Sequence, residues 1–224
     1  MPRTSTLTLT AADGHRLGAF LAEPDEAPRG HLVVIQEVFG VNNHIHSVCE
    51  QFASLGFASI APALYDRIEQ GIELGYGEDD LARGRELRTV LGWDSPVQDV
   101  AAAMAHYAGR GPVGTIGYCW GGSVSWLAAT RLGPACSVCY YGGQIVQFKD
   151  ETPTCPVLMH FGEDDHIITQ DDVAAIRAAQ PDVEMHLYPG VGHGFNCTER
   201  PDYDPESAKT ALDRTLTFFE KHLV

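Results

Sequence analysis

A Gly-x-Cys-x-Gly-Gly segment at residues 117–122 constrains this chain more than any other part of its sequence. It follows a short β-branched run, Val113–Ile116, and precedes a helix-compatible run that continues to Leu132. A nucleophile on a sharp strand-to-helix turn needs glycines on both sides, because Cβ atoms there would keep strand and helix apart. The positive end of the following helix would favour a thiolate at Cys119 and any oxyanion formed beside it. The segment predicts a nucleophilic cysteine, although a glycine-rich loop around a buried structural cysteine would have a similar sequence.

Apolar patterning indicates strands and helices that alternate along most of the chain. Apolar and polar residues alternate in Ser5–Leu9 and Arg16–Glu23, and Asp13-Gly14 lies between the two segments. This pattern predicts an opening β-hairpin. Later strands are predicted at residues 31–35, 57–60, 113–116, 137–141, 156–161 and 183–188, and helices at residues 45–55, 80–90, 96–107, 123–132, 171–179 and 208–223. Such alternation predicts an α/β fold in three layers, a mostly parallel twisted sheet with helices on both faces. No repeat or linker interrupts the pattern, so we expect one domain over residues 1–224.

Charge and composition exclude several classes of protein. The formal net charge of −15 argues against binding to nucleic acid and to an anionic membrane surface. The N-terminus lacks an apolar signal core, and no apolar run approaches the length of a membrane span. The six cysteines without regular spacing suit a reducing compartment, so we expect a cytoplasmic protein.

Two paired motifs do not have the spacing of metal ligands. Cys136 and Cys139 form a C-x-x-C, but in a strand their side chains would point to opposite faces. His44 and His46 begin a predicted helix, where an i, i+2 spacing splits the two rings across the helix. We therefore expect no metal site.

Two loops that follow predicted strands carry the partners that a nucleophilic thiol needs. Asp165 follows the strand at 156–161, and His193 follows the last strand. Sites form at the carboxyl ends of parallel strands, and the order thiol, carboxylate, imidazole is that of hydrolase triads. The imidazole takes the thiol proton, and the acid fixes the imidazole tautomer. Glu163 and Asp164 compete with Asp165, and a structural loop histidine remains an alternative for His193.

The loop Gln36–Gly40 follows the first predicted parallel strand. In this architecture such a loop supplies a backbone N–H to an oxyanion hole, so the N–H groups of Val38 and Trp120 are the candidate donors. A carboxylate near a thiol raises the pKa of the thiol unless it takes the proton itself. Glu37 is therefore either a base or gate acting on Cys119, or part of a structural ion pair with a loop arginine.

Four segments resemble the dienelactone hydrolase (carboxymethylenebutenolidase) family of α/β-hydrolases: Gln36–Gly40, Gly117–Gly122, Gly162–His166 and Gly192–Phe195. The similarity extends from the hairpin to the closing helix. The resemblance implies an α/β-hydrolase fold and a cofactor-free carboxylic ester hydrolase with a Cys-His-Asp triad. It also implies that Cys119 attacks an ester or lactone carbonyl to form an acyl-enzyme. Glu37 would then help to deprotonate Cys119 when substrate binds, moving away from an arginine partner.

The family holds a substrate carboxylate with two arginines, and here the sequence departs from the family pattern. Candidates for the arginine on the helix in the middle of the chain are Arg83, Arg85 and Arg88. No arginine directly follows His193, but Arg200 lies seven residues later and could take the second role. Tyr118 is a further candidate for substrate binding.

The sequence favours a thiol-dependent hydrolase of small carboxylic esters or lactones. The same groups would serve a thioester or another activated acyl compound, because any acyl transfer uses them. A non-catalytic binding or sensing module would be expected to lack the nucleophile, the acid or the histidine, and all three are present. A redox role for Cys119 would require Cys197 as the resolving cysteine.

Overall fold

The structure, a computed structural model, describes residues 2–224, which form an eight-stranded sheet with helices on both faces. The strands are β1 (Arg3–Thr10), β2 (Arg16–Glu23), β3 (Gly30–Ile35), β4 (Phe57–Pro62), β5 (Val113–Tyr118), β6 (Cys136–Tyr140), β7 (Val157–Gly162) and β8 (Glu184–Tyr188). The α-helices are α1 (Asn43–Ser54), α2 (Glu78–Leu91), α3 (Asp94–His106), α4 (Trp120–Arg131), α5 (Gln170–Ala179) and α6 (Pro205–Leu223). Short 3₁₀ helices cover Leu64–Arg67 and Ile145–Phe148.

The strand order is β1-β2-β4-β3-β5-β6-β7-β8. The β1–β2 and β2–β4 pairs are antiparallel, and the remaining five pairs are parallel. The predicted mostly parallel α/β sheet is therefore confirmed. Parallel strands bring their carboxyl ends to one edge, so the loops after β3, β5, β7 and β8 share that edge.

The sheet is buried on both faces, as the continuous apolar strands predicted. On one face α1 and α6 meet, and the rings of Phe52 and Phe219 lie 5.9 Å apart in the core beneath them. The other face is covered by α3 and the beginning of α4, whose Val100 and Trp120 belong to a second buried cluster.

Helix α4 begins three residues earlier than predicted, at Trp120. Glycine has a low intrinsic helix propensity, so the sequence pattern did not place Gly121 and Gly122 in the predicted helix. A Cβ atom at Gly121 would overlap the carbonyl oxygen of Ile35, and one at Gly122 would crowd that of Tyr140. Close packing of α4 against the ends of β3 and β6 therefore determines where the helix begins.

Two smaller differences concern the segment after β4. The strand was predicted at residues 57–60 but continues through Pro62, which pairs with Ala19 of the antiparallel neighbour. Between the strand predicted at 57–60 and the helix predicted at 80–90 lies the 3₁₀ helix Leu64–Arg67, which packs behind the loop that follows β3. Among residues 2–224, no helix has both the length and the apolar character needed to cross a lipid bilayer.

Candidate active site

Cys119 lies on the turn between β5 and α4, at the carboxyl edge of the sheet. Its φ of 54° is in the region that favours glycine, and such strain persists only where the surroundings hold it. Glycine is required at 117 because a Cβ atom there would overlap the backbone of Gly121. The Cys119 N–H donates to the carbonyl oxygen of Tyr140 at 3.0 Å. The turn thus presents a half-buried thiol at the positive end of α4.

His193 lies between Cys119 and Asp165. Its Nε2 is 3.1 Å from the Cys119 sulfur, and its Nδ1 is 2.8 Å from Oδ2 of Asp165. The second oxygen of Asp165 accepts the N–H groups of Ile167 and Ile168 at 2.7 and 3.0 Å. The structure therefore brings together a thiol, an imidazole and a carboxylate in the predicted order, each from a loop after a strand.

Only one of the three acidic residues in the loop after β7 contacts the histidine. Glu163 and Asp164 are exposed, whereas Asp165 is buried and bonded to His193. Burial and the two backbone donors set Asp165 apart, and neither feature is visible in a run of three acidic residues.

The charges around His193 favour its protonated form. Burial by itself lowers the pKa of His193, but the charge of Cys119 and the hydrogen bond and charge of Asp165 outweigh burial and raise this pKa to about 10. Burial likewise raises the pKa of Asp165, and the hydrogen bond from His193, its charge and the backbone donors outweigh it, so the net pKa is lowered. A protonated imidazole held beside the Asp165 carboxylate is the arrangement that these shifts support.

Glu37 is buried and makes an ion pair. Its Oε1 accepts from Arg200 Nη1 at 3.4 Å, and its Oε2 accepts from the Tyr76 hydroxyl at 3.2 Å. Across residues 2–224 no hydrogen bond joins Glu37 to Cys119. The ion pair is compatible with both interpretations of Glu37, a gate held in its resting position or a structural pair.

Arg200 reaches Glu37 because the loop after His193 folds back over the site. Its guanidinium packs against Gly194, where φ is +86° and a Cβ atom would be only 2.6 Å from the Arg200 Nε. It also lies 6.0 Å from the centre of the Phe39 ring. A glycine at 194 is therefore needed both for its backbone conformation and for the close approach of this arginine.

One group of possible metal ligands occurs within residues 2–224. Ligand atoms of Glu37, His44 and Cys197, all buried, lie within 4.8 Å of one another. The Arg200 guanidinium beside the Glu37 carboxylate opposes a second cation there. We therefore assign no metal to this group.

The two candidate oxyanion donors are free of internal acceptors. In the described part of the chain, no hydrogen bond is made by the N–H of Val38 or by that of Trp120. Val38 lines the same pocket as Cys119. Within residues 2–224, neither N–H group is therefore occupied by an internal acceptor.

A cavity of about 270 Å³ opens beside the Cys119 thiol. It is lined by Val38, Phe39, Leu81, Arg85, Arg88, Cys119, Gly143, Gln144, His166, Ile167, His193 and Arg200. A larger depression of about 480 Å³, between α1 and α6, includes neither Cys119 nor His193 and has no evident role in the chemistry.

Two of the residues predicted to bind substrate do not reach this cavity. Arg83 points to the surface, where it pairs with Glu69 and Glu86, because it lies on a different face of α2 from the cavity-lining arginines. Tyr118 is buried in the sheet core, with its ring 4.8 Å from that of Tyr140. The structure corrects both assignments.

The cavity-lining arginines of α2 are Arg85 and Arg88, which share a face through their i, i+3 spacing. Within residues 2–224 neither has an acidic partner, although acidic residues outnumber basic ones two to one in this chain. Arg200 is the third arginine of the cavity and is already paired with Glu37. Two uncompensated cations therefore face the space above the thiol.

Comparison with known proteins gives consistent matches over almost the whole length. The model of the dienelactone hydrolase family matches residues 17–223. A carboxymethylenebutenolidase of Pseudomonas sp. strain P51 is 32% identical over 97% of this chain and 95% of its own. Another, of Pseudomonas putida, is 29% identical over 96% and 95%. A crystal structure from Klebsiella pneumoniae subsp. pneumoniae MGH 78578, whose protein has the provisional name dienelactone hydrolase, is 28% identical and superimposes with a TM-score of 0.79 over 97% and 99% of the two chains.

Proposed function

The chain belongs to the dienelactone hydrolase family and is a carboxylic ester hydrolase, and we propose that it cleaves small esters or lactones through Cys119, His193 and Asp165. The observation that carries this proposal is the position of His193, whose two ring nitrogens contact the thiol at 3.1 Å and the carboxylate at 2.8 Å. Since a nucleophile, its base and an orienting acid are the minimum for covalent acyl transfer, this geometry supports an acyl-enzyme mechanism.

In the proposed reaction the Cys119 thiol passes its proton to His193, and the sulfur forms a bond to the ester carbonyl carbon. The carbonyl oxygen becomes an oxyanion that accepts from the N–H groups of Val38 and Trp120. As the tetrahedral intermediate collapses, the C–O bond breaks and His193 gives its proton to the leaving oxygen. A water then loses a proton to His193, attacks the thioester and releases the acid, while Cys119 leaves as the thiolate. In a lactone the leaving oxygen stays attached to the product.

Glu37 is proposed to gate this reaction from its ion pair with Arg200. A substrate anion that approaches Arg200 would compete with the Glu37 carboxylate and release it towards Cys119. The burial of Glu37, 1% exposed, supports this role, because a buried carboxylate that loses its ion-pair partner is destabilised unless it gains another contact.

Glu37→Gln should lower kcat about 100-fold and should lower turnover more than it lowers stability, because a neutral amide cannot help to take the thiol proton of Cys119. The measurement is steady-state hydrolysis of a small ester together with thermal unfolding. Glu69→Gln is the matched control, since it removes a surface carboxylate that also pairs with an arginine, Arg83. A large fall in melting temperature with unchanged kcat would make Glu37 a structural partner of Arg200.

The substrate is proposed to carry a carboxylate that Arg85 and Arg88 bind. Both lie at the cavity without acidic partners, and a charge-assisted hydrogen bond from arginine to a carboxylate is strong. The overall negative charge of the protein does not oppose this, since the field of a local arginine pair dominates at short range.

Arg88→Gln and Arg85→Gln should each raise KM for a dienelactone by about tenfold and leave KM for a neutral aryl acetate unchanged. Arg83→Gln is the control, because it removes a charge from the same helix outside the cavity. If the wild type hydrolyses the aryl acetate and not the dienelactone, the substrate proposal fails while the mechanism stands. If it hydrolyses neither, the proposed function fails.

The protein is proposed to work in the cytoplasm. All six cysteines are unpaired, which supports a reducing compartment.

A further inference from the structure

We propose that Gln36 and Tyr65 are positioning residues that hold the peptide groups on both sides of Val38, so that its N–H stays directed at the reacting carbonyl. The inference rests on the proposed function, because it concerns the oxyanion donor of that reaction. Neither residue lines the cavity, and each would act through the backbone between them and the substrate.

Gln36 holds the peptide that contains the donor. Its buried side chain donates from Nε2 to the carbonyl oxygen of Glu37 at 3.3 Å, and its Oε1 accepts the N–H of Leu64 at 3.1 Å. The Glu37 carbonyl and the Val38 N–H belong to one planar trans peptide, so they point in opposite directions. A Glu37 carbonyl that is held towards the Gln36 side chain therefore directs the Val38 N–H away from that side chain.

Tyr65 holds the next peptide. Its hydroxyl lies 3.0 Å from the carbonyl oxygen of Val38 and 3.1 Å from that of Gly84, and its single proton is shared between them. Burial, and then the charge of Cys119, raise the pKa of Tyr65, so the hydroxyl remains a donor throughout the working pH range. A Cβ atom at Gly84 would overlap the Val38 carbonyl, so α2 packs directly on this peptide.

The same tyrosine also contacts the residue that supplies the second donor. The ring of Tyr65 stacks on that of Trp120, with centroids 5.5 Å apart and planes 10° apart. Leu64 and Tyr65 are consecutive residues of one 3₁₀ helix, so a single rigid element fixes Gln36, the Val38 carbonyl and the Trp120 ring. Oxyanion stabilisation depends on donors that are in place before charge develops, so an element that holds the Val38 peptides in advance would favour it.

The test compares two reactions of the same thiol. Ester hydrolysis adds sulfur to a carbonyl and creates an oxyanion. Iodoacetamide is attacked at its CH₂ carbon, where a C–S bond forms and iodide leaves, and no oxyanion appears. Tyr65→Phe and Gln36→Met should lower kcat for an aryl acetate by about 10- to 100-fold with little change in KM, while alkylation of Cys119, followed by mass spectrometry of its peptide, keeps its rate.

Two controls match these substitutions in chemistry. Tyr107→Phe removes a buried hydroxyl that has no partner within residues 2–224, and Gln180→Met removes an amide that donates to backbone carbonyls far from the cavity. Both should retain wild-type rates in both reactions.

The outcomes distinguish a failure of the positioning role of Gln36 and Tyr65 from a failure of the proposed function. If hydrolysis and alkylation fall together, Gln36 and Tyr65 support the thiol or the fold, and the inference is wrong. If neither rate falls in Tyr65→Phe, which keeps the aromatic ring, the hydroxyl does not position the donor and the inference is again wrong. If alkylated wild-type protein still hydrolyses esters, the proposed function itself fails, whatever the variants do.

Discussion

Cys119→Ala should abolish ester hydrolysis and leave the fold intact. The proposed acyl-enzyme requires a bond from sulfur to the acyl carbon, and no other thiol lines the cavity. Alanine keeps a Cβ atom, so the backbone strain at φ 54° is the same in the variant and in the wild type. Turnover of an aryl acetate and the melting temperature are the two measurements, with the activity expected to fall to background and the melting temperature to change little.

Two further variants test whether the loss of activity is specific to the Cys119 thiol. Cys155→Ala removes another half-buried thiol, outside the cavity, and should retain full activity. Cys119→Ser keeps a nucleophile of weaker intrinsic reactivity and should hydrolyse slowly. Mass spectrometry of a rapidly quenched reaction should find the acyl group on the peptide that contains Cys119. Unchanged turnover in Cys119→Ala would contradict the mechanism outright.

The order of strands and helices was predictable because local patterns carry it. Buried parallel strands are continuous apolar runs, and the Asp13-Gly14 turn with its alternating flanks marks the hairpin. The start of α4 was not predictable, because it depends on the close approach of Gly121 and Gly122 to two other strand ends. Where tertiary packing overrides helix propensity, the local sequence does not determine at which residue a helix begins.

Some features of the candidate site were likewise predictable from the sequence, and others depend on tertiary structure. The loops after strands could be identified from the chain, but the acid among Glu163, Asp164 and Asp165 could be chosen only from burial and hydrogen bonds. The separate orientations of Arg83 and Arg88 likewise depend on how α2 is rotated against the site.

The contacts of Gln36 and Tyr65 had no signal in the sequence. All of them end on backbone N–H or carbonyl groups, which occur along the whole chain, and two of them join residues 28 and 27 positions apart. Pattern analysis detects side-chain chemistry, so a residue that acts by holding a peptide group leaves no recognisable motif.

His193→Asn should lower kcat by about three to four orders of magnitude. Asparagine has no group that takes the thiol proton and returns it to the leaving oxygen, although it retains a polar side chain between Cys119 and Asp165. His186→Asn is the matched control, because this half-buried histidine on β8 contacts Glu184 outside the cavity. Activity close to wild type in His193→Asn would remove His193 from the mechanism.

The same variant should change how stability depends on pH, and the direction follows from the pKa of His193. That pKa is raised from its usual 6.5 to about 10 in the folded protein, so protonation of His193 stabilises the fold fully below pH 6.5. The contribution is lost as the pH rises through about 10. Asp165, whose pKa is lowered, contributes above its usual range and loses its contribution as the pH falls.

Urea unfolding of the wild type and of His193→Asn, measured from pH 6.5 to above pH 10, tests this coupling. The difference in unfolding free energy between the two proteins should be largest at the lower pH and should shrink as the pH rises. A difference that stays constant over this range would mean that the imidazole is neutral throughout. Cys119 and Asp165 would then not hold a charged His193.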